Sequence, residues 1–167
     1  MRTPSEAAAP WWKGMRGEWY VVGQLVLMAL VFLGPRKWLG WPASSLSVGR
    51  AGPYVGAALI LVGIGLLADG LIRLGSGLTA LPYPKEHTTL VTTGPYRYVR
   101  HPMYGGGILA GLGWALWVGS WLTLGYVAVL FVFLDRKASR EEQWLEEKFS
   151  GYREYRRRVR RLIPFVY

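Results

Sequence analysis

The sequence has no cysteine and only two histidines, His87 and His101, among its 167 residues. The absence of cysteine excludes disulfide bonds, thiolate nucleophiles and cysteine-based metal sites. Two histidines are too few for a structural zinc site, so we expect no bound metal. Acidic residues are also scarce, with 10 Asp and Glu against 20 Lys and Arg, a formal net charge of +10. The chain is therefore strongly basic and poor in the side chains that build metal centres.

This positive charge suggests an anionic partner, either nucleic acid or membrane headgroups. The sequence shows no recognition helix, zinc pattern or RNP-type strand, which argues against nucleic acid. The basic residues instead follow apolar blocks directly, where anionic headgroups are the nearer partner. We therefore expect membrane lipids, and no nucleic acid, as partners.

Long stretches also lack any charge. Residues 51–68 contain no charged side chain, and neither do residues 103–134. As a helix, 51–68 would reach about 27 Å at about 1.5 Å per residue, close to the thickness of a bilayer's hydrocarbon core. Residues 19–33 form a shorter apolar block, and 103–134 suffice for two short or tilted helices with a break near Gly119 and Ser120. We predict an all-α integral membrane protein with about four transmembrane helices, the last two forming a helical hairpin.

The lysines and arginines set the expected orientation. Ten of the 20 lie between Arg136 and Arg161, directly after the last apolar block, and others lie in the connection between the second and third spans. The positive-inside rule places both regions, and with four spans the N-terminus, on the cytoplasmic side. We predict one domain in five segments: a polar stub (1–17), two spans (18–68), a polar loop (69–102), a helical hairpin (103–134) and a cytoplasmic helical tail (135–167).

The polar loop carries the densest set of chemically useful side chains. Its end, residues 94–106, reads Gly-Pro-Tyr-Arg-Tyr-Val-Arg-His-Pro-Met-Tyr-Gly-Gly. Proline suits the first turn of a helix, so Pro102 is predicted to begin the third helix, with Arg100 and His101 just outside its N-terminus. Such a site attracts anions, and the tyrosines offer faces for a flat ring. The same residues also fit a second interpretation, in which arginines reach lipid phosphates, tyrosines form an interfacial belt and glycines pack helices.

A second group of charges lies in the tail. Residues 135–159 contain no proline and one glycine, a composition that favours a helix continuing the fourth span. Glu141 and Glu142 would then emerge close to the membrane surface, where they offer acceptors for a ligand ammonium. The alternative is that neighbouring cations on the same helix neutralise both carboxylates as ordinary surface pairs.

Taken together, these segments resemble one family, the isoprenylcysteine carboxyl methyltransferases and phospholipid methyltransferases. The resemblance covers residues 86–165. It is carried by Leu90-Val91-Thr92-Thr93-Gly94-Pro95-Tyr96, Arg100-His101-Pro102-Met103-Tyr104-Gly105-Gly106 and Glu141-Glu142-Gln143-Trp144-Leu145, with Phe149, Tyr152, Tyr155, Arg158-Val159 and Leu162-Ile163-Pro164-Phe165. An Arg-His-Pro-x-Tyr-x-Gly element followed at this spacing by Glu-Glu-x-x-Leu is more specific than either part alone.

The resemblance implies a membrane methyltransferase that uses S-adenosylmethionine and releases S-adenosylhomocysteine. The residues it implies for cofactor binding are Leu90, Gly94, Tyr96, Arg100, His101, Pro102, Tyr104, Gly106, Glu141 and Glu142. Arg100, His101 and Glu141 are the candidates for a catalytic role. The family often has a histidine two residues before the Leu-Val pair, where this chain has Thr88 and places His87 one residue earlier.

The methyl acceptor stays open at this stage. The resemblance implies a lipophilic acceptor, such as a prenylated cysteine carboxylate, a phospholipid amine or a small hydrophobic or isoprenoid compound. A carboxylate would favour a nearby arginine, whereas an amine or thiol needs a base, for which His101 or Glu141 are candidates. The competing hypothesis is a non-catalytic membrane protein whose basic tail binds anionic lipid or a partner subunit.

Overall fold

The computed structural model describes residues 17–37, 46, 49–77, 79, 81, 88–164 and 167. Five α-helices lie in these ranges: α1 (Glu18–Leu33), α2 (Gly52–Leu74), α3 (Pro102–Val118), α4 (Trp121–Lys148) and α5 (Tyr152–Arg158). Short 3₁₀ turns cover Gly49–Ala51, Gly75–Gly77 and Gly94–Arg97. The described ranges contain no β-strand, which confirms the prediction of an all-α fold.

Helix α2 is longer than the uncharged block that predicted it. It continues past residue 68 to Leu74 and ends where Gly75 adopts a positive φ of 48°. Asp69 and Arg73 lie one turn apart on this extension, and Arg73 Nε donates to Asp69 Oδ1 at 3.1 Å. The pair is half-exposed, so both charges stay solvated while the helix continues. The expected start of the loop at residue 69 was therefore wrong by more than one helical turn.

Glycines join α2 to α3 in the largest helix contact of the described chain. A methyl group placed on Gly63 would lie 2.6 Å from the carbonyl oxygen of Gly106, and one on Gly56 would lie 2.6 Å from that of Gly113. Only glycine permits backbones to come so close. We call these four residues the glycine seam. Gly107, one residue beyond Gly106, faces open space instead.

The hairpin between α3 and α4 turns where the sequence predicted. Gly119 has a positive φ of 60°, and the Ser120 side chain accepts a hydrogen bond from the Thr123 backbone N–H at 3.1 Å. The left-handed glycine ends α3 and the serine caps α4.

A core of buried apolar side chains joins α1, α3, α4 and the tail. Its members are Val31, Ile108, Val127, Leu130, Leu134 and Leu162.

The tail is not one continuous helix as predicted. Helix α4 ends at Lys148, Phe149 is extended, and α5 begins at Tyr152 after Gly151. The break lets the chain fold back on the loop that precedes α3. There the backbone N–H of Arg100 donates to the carbonyl of Arg160 at 2.8 Å, and that of His101 to Arg161 at 3.1 Å. The tail is thus bonded directly to the start of α3.

Large apolar side chains are exposed on all four long helices. Examples are Leu25, Val26 and Leu33 on α1, Leu61, Val62 and Ile72 on α2, Trp117 on α3, and Trp121, Val129 and Val132 on α4. In the described part of the chain, one helical segment, Gly49–Leu74, is long and apolar enough to cross a membrane by length and composition. Only 17% of its most apolar window is buried, so this segment is not packed like the core helix of a globular domain.

Candidate functional site

The loop before α3 is held by a tight turn and a buried tyrosine. Gly94 lies against the Arg73 guanidinium and has a positive φ of 61°, a conformation that favours glycine. Tyr96 is buried and donates from its hydroxyl to the carbonyl of Gly70 at 3.4 Å. Burial, together with the negative charges of Glu141 and Asp69, raises the pKa of Tyr96 to about 12, so the hydroxyl stays protonated. The turn therefore keeps the loop against α2.

Pro102 is the first residue of α3, as the sequence predicted, and Arg100 and His101 precede it. His101 occupies the N-cap position but makes no side-chain cap. Its side chain is instead directed at Glu142 of α4, as is that of Arg100. Because both residues lie outside the helix, their backbone N–H groups are free to donate to carbonyls of the tail.

Glu142 lies at the centre of the charged cluster. Its side chain is 1% exposed, and its Oε1 accepts from Arg100 Nε at 2.7 Å and lies 3.2 Å from His101 Nε2. Its Oε2 accepts from Arg161 Nη2 at 3.1 Å. Burial by itself would raise the pKa of Glu142, but the hydrogen bonds from His101 and Arg100 outweigh it and lower the pKa to about 2. Glu142 is therefore a buried anion that joins α4, the loop and the tail.

Glu141 faces the other side of the same histidine. Its Oε2 accepts from the Tyr104 hydroxyl at 2.9 Å and lies 3.7 Å from His101 Nδ1. The His101 and Tyr104 rings are stacked, with centroids 5.3 Å apart and planes 2° from parallel. Because each nitrogen of His101 meets a different carboxylate, the ring bridges the two acidic residues. The structure thus brings together the two sequence elements that lie about 40 residues apart.

A cavity of about 700 Å³ lies beside this cluster, between α1, α2, α3, α4 and α5. Seven of the ten predicted cofactor residues line it. They are Leu90, Tyr96, Arg100, His101, Pro102, Tyr104 and Glu141. The cavity volume falls within the range of about 300–1,000 Å³ that is usual for small-molecule sites.

Three predicted residues lie away from the cavity wall. Gly94 supports the loop turn, Gly106 belongs to the glycine seam, and Glu142 lies behind the wall formed by Arg100 and His101. The guanidinium of Arg100 is also occupied by protein partners, since it donates to the carbonyls of Arg156 and Val159 as well as to Glu142. Its observed contacts therefore fasten the tail to the loop.

The histidine that the family pattern suggested cannot be compared, because His87 lies outside the described residues. Thr88, which stands at the position of the family histidine, lines the cavity. Its hydroxyl accepts from Lys148 Nζ at 3.0 Å.

Several cavity residues were not predicted from the sequence. Tyr155 donates from its hydroxyl to the carbonyl of Tyr96 at 2.6 Å, and Tyr152 places a buried hydroxyl, with no hydrogen-bond partner in the described chain, beside the cavity. On α4, the residues facing the cavity follow helical spacing. They are Leu130, Leu134, Lys137, Glu141 and Leu145. This spacing was readable in the sequence and would have identified Lys137 once Glu141 was assigned to the site.

Comparisons with known proteins agree with this architecture. The chain is 31% identical over 150 residues to the cobalt-zinc-cadmium resistance protein CzcN of Cupriavidus metallidurans, a match that covers 89% of this chain and 62% of that protein. It is 34% identical over 106 residues to the protein-S-isoprenylcysteine O-methyltransferase of Schizosaccharomyces pombe, covering 60% of this chain and 44% of that protein. The chain thus spans about half of the length of the curated relatives it matches.

A solved structure has the same fold. The eukaryotic intramembrane Ras methyltransferase, an isoprenylcysteine carboxyl methyltransferase, aligns with a TM-score of 0.65 and 21% identity over 95% of this chain and 54% of that one. The profile of the phospholipid methyltransferase family matches residues 52–151, more than half of the 167 residues. The matched range runs from the start of α2 to the end of α4 and contains the loop and both acidic residues. The chain therefore belongs to the phospholipid methyltransferase family.

Proposed function

We propose that this protein is an integral membrane methyltransferase that transfers a methyl group from S-adenosylmethionine to a lipophilic acceptor. The observation that carries the proposal is the cavity itself. Its lining combines the charged and aromatic cluster around His101 with apolar side chains from α1 and α4. Membership of the phospholipid methyltransferase family supports the reaction class.

The exposed apolar surfaces support a position in the bilayer. Four helices, α1, α2, α3 and the first half of α4, present large apolar side chains outward, a surface that water would disfavour. We propose that all four span the membrane, with α1 and α3 short. The charged cluster, the loop and the tail then lie together at one membrane surface, and the positive-inside rule makes this the cytoplasmic surface.

The residues of the cavity fit the proposed cofactor. S-adenosylmethionine carries an ammonium, a carboxylate, a sulfonium, ribose hydroxyls and a flat adenine. The cavity offers the Glu141 carboxylate for a cation, and tyrosine faces and hydroxyls for the ring and the sugar. The buried hydroxyl of Tyr152 lacks a hydrogen-bond partner among the described residues, which fits a ligand contact on that wall.

When bound, the cofactor supplies an electrophilic methyl group. The protein's part is to position the acceptor and to exclude water. His101 is held between two carboxylates, so its ring orientation is set before any ligand enters. Glu141 has a quarter of its side chain exposed and lines the cavity, so it is the carboxylate that can accept a proton from an amine or thiol acceptor. Arg100 keeps this wall in place through its contacts with the tail.

The tail gives less support to the alternative that the protein is non-catalytic and binds anionic lipid or a partner subunit. Arg156, Arg158 and Arg161 are ion-paired with carboxylates of the protein itself. Their charge is therefore partly neutralised within the fold and is less available to anionic lipid.

Binding of S-adenosylhomocysteine to the detergent-purified protein tests the cofactor site. We expect calorimetric binding by the wild type and a loss of about tenfold or more in Glu141→Gln, because a charged hydrogen-bond acceptor is removed. Glu147→Gln is the matched control, since Glu147 is an exposed carboxylate on the same helix. Absence of binding by the wild type would refute the proposal. If the wild type binds, incubation with radiolabelled S-adenosylmethionine and a total lipid extract shows which species acquires the label.

A further inference from the structure

The end of the helix bundle opposite the charged cluster is basic. Here α1 ends, α2 begins and α3 turns into α4, and three cations flank the connection between α1 and α2: Arg36, Lys37 and Arg50. The sequence has no Asp or Glu at residues 19–68 or 103–134, so no helix or connection at this end supplies a carboxylate. The three cations are exposed, and the segments around them offer no anionic side chain as a partner.

Hydrogen bonds join this connection to the hairpin turn. The Ser120 hydroxyl donates to the carbonyl of Arg36 at 2.9 Å, and the backbone N–H of Leu46 donates to the carbonyl of Gly119 at 2.9 Å. The glycine seam places the start of α2 beside the end of α3. The backbone that carries Arg36 is therefore fixed against the turn between α3 and α4.

The guanidinium of Arg36 is positioned by an aromatic ring. Its Cζ lies 5.3 Å from the centroid of the Trp114 ring on α3, which is a cation–π contact. The same ring contacts Phe32 of α1, with centroids 6.1 Å apart. Arg36 is thus an exposed cation that is already oriented, so it loses less conformational freedom than an unrestrained arginine when it binds an anion.

Trp114 also has an unused donor. Its Nε1–H is buried and has no hydrogen-bond acceptor in the described part of the chain. Buried polar groups are almost always paired, so this donor fits an acceptor supplied by a ligand. Two further tryptophans at this end, Trp117 and Trp121, are about half exposed. Tryptophan is enriched where a membrane meets water, which places this end of the bundle at the level of lipid headgroups.

The charges at this end favour one class of lipid. Phospholipid phosphates lie at headgroup level and offer several acceptor oxygens with a negative charge. An anionic phospholipid brings that charge without a cation. A zwitterionic phospholipid adds an ammonium, for which this end has three repelling cations and no carboxylate. The surface should therefore prefer the anionic class.

We propose that Arg36, Lys37 and Arg50, with Arg36 oriented by Trp114, form a binding site for an anionic phospholipid at the membrane surface opposite the charged cluster. The site goes beyond the proposed function, because it requires a bilayer but neither the cofactor nor a methyl acceptor. A lipid bound here bridges the connection after α1 and the turn between α3 and α4. Since α1 also lines the cavity, an occupied site stabilises the helix packing on which the cavity depends.

Native mass spectrometry of the detergent-purified protein tests the lipid class. Phosphatidylglycerol and phosphatidylcholine with the same acyl chains are titrated separately, and the dissociation constant of the first bound lipid is measured. A basic residue near an anionic surface contributes about fivefold in affinity, so we expect phosphatidylglycerol to bind about tenfold or more tightly than phosphatidylcholine. Equal affinities would overturn the proposal. Displacement of the lipid by inorganic phosphate would also overturn it, because the site would then belong to a free anion.

Substitutions assign the preference to this end of the bundle. Arg36→Gln is expected to weaken phosphatidylglycerol binding by about fivefold or more, and Arg36→Lys, which keeps the charge, by less. Trp114→Phe, which keeps a ring but removes the N–H, should weaken it by about threefold. Lys37→Gln repeats the test at an exposed side chain, so that the proposal stays testable if Arg36→Gln does not fold.

Arg157→Gln is the matched control, because Arg157 is an exposed arginine at the other end of the bundle. We expect this variant to bind phosphatidylglycerol as tightly as the wild type. An effect in Arg157→Gln as large as that in Arg36→Gln would place the lipid on the tail and overturn the proposal. Unchanged binding in both Arg36→Gln and Lys37→Gln would do the same.

Discussion

The glycine seam and the charged cluster hold the same helix, α3, in opposite ways. At the seam, Gly63 and Gly106 bring two backbones together by having no side chain. At the N-terminus of α3, the side chains of Arg100 and His101 hold the helix to α4 through hydrogen bonds to Glu142. The seam depends on shape alone and is insensitive to pH, whereas the cluster depends on charge balance.

The difference indicates how the two regions divide their roles. The seam consists of glycines, which have no functional group. It holds α3 against α2. The cluster lies beside the cavity and consists of charged, hydrogen-bonded groups, so a bound ligand can change its hydrogen bonds. Changes at the seam should therefore alter stability, while changes at the cluster should alter both stability and ligand binding.

Removal of Glu142 should give the largest effect. Glu142→Ala leaves Arg100 and Arg161 buried without their shared anion, and loss of one partner of a buried ion pair costs about 3–5 kcal/mol. We expect that loss in the free energy of unfolding in detergent, with S-adenosylhomocysteine binding lost as well. Glu147→Ala is the control, because Glu147 is exposed on the same helix. Wild-type stability in Glu142→Ala would contradict the central position given to this residue.

Acid should weaken the cluster and leave the seam intact. The pKa of Glu142 falls from 4.5 to about 2 in the folded state, so its ionisation stabilises the fold above pH 4.5. That contribution, about 3 kcal/mol at about 1.36 kcal/mol per pKa unit, is lost as the pH falls from about 4.5 to about 2. Unfolding measured across this range should therefore show a steeper loss for wild type than for Glu142→Gln. Parallel pH profiles for the two proteins would argue against a low pKa.

Crowding the seam should have a moderate effect on stability. In Gly63→Ala the new methyl group would meet the Gly106 carbonyl oxygen at 2.6 Å and the Ala110 nitrogen at 2.7 Å, and overpacking of this kind costs about 1–3 kcal/mol. Gly65→Ala is the matched control on the same helix, since nothing lies within 4 Å of that position. There we expect a gain of about 0.5–1 kcal/mol from helix propensity. Thermal unfolding of both variants decides the comparison, and equal effects would refute the seam.

The smallest expected effect is at the edge of the cluster. Tyr104→Phe removes the hydroxyl that donates to Glu141 at 2.9 Å but keeps the ring stacked on His101. Glu141 is a quarter exposed and stays solvated when the hydroxyl is lost, so we expect the contribution of an ordinary hydrogen bond, about 0.5–1.5 kcal/mol. We expect a loss of that size in stability and a measurable weakening of S-adenosylhomocysteine binding. No change in either quantity would show that the hydroxyl contributes nothing to the site.

Much of the helical framework could be predicted from local patterns. Pro102 marked the start of α3 and Gly119 the end of it, because both residues act on the backbone within one turn. Two boundaries were predicted wrongly. Helix α2 continues past residue 68 with Asp69 and Arg73 paired on its half-exposed surface, and the tail breaks at Phe149 before it pairs with the loop. The second outcome depends on contacts beyond the segment itself.

The candidate site was partly predictable. The family motif brought attention to His101, Tyr104 and Glu141, which the structure places in mutual contact. The motif could not separate residues that face the cavity from those behind it, so Gly106 and Glu142 were grouped with them. It also missed Lys137, whose partner Gln24 lies 113 residues earlier in the chain.

By itself, the sequence determined where helices form and which of them are apolar, because periodicity, proline and glycine act through neighbouring backbone atoms. Only the tertiary structure decided which charges meet. Helix α4 has to continue past the apolar block, break at Phe149 and return to the start of α3 before Glu142 can meet Arg100 and His101. Each of these pairings depends on distances of about 3 Å between residues more than 40 positions apart, and such distances arise only when the helices pack.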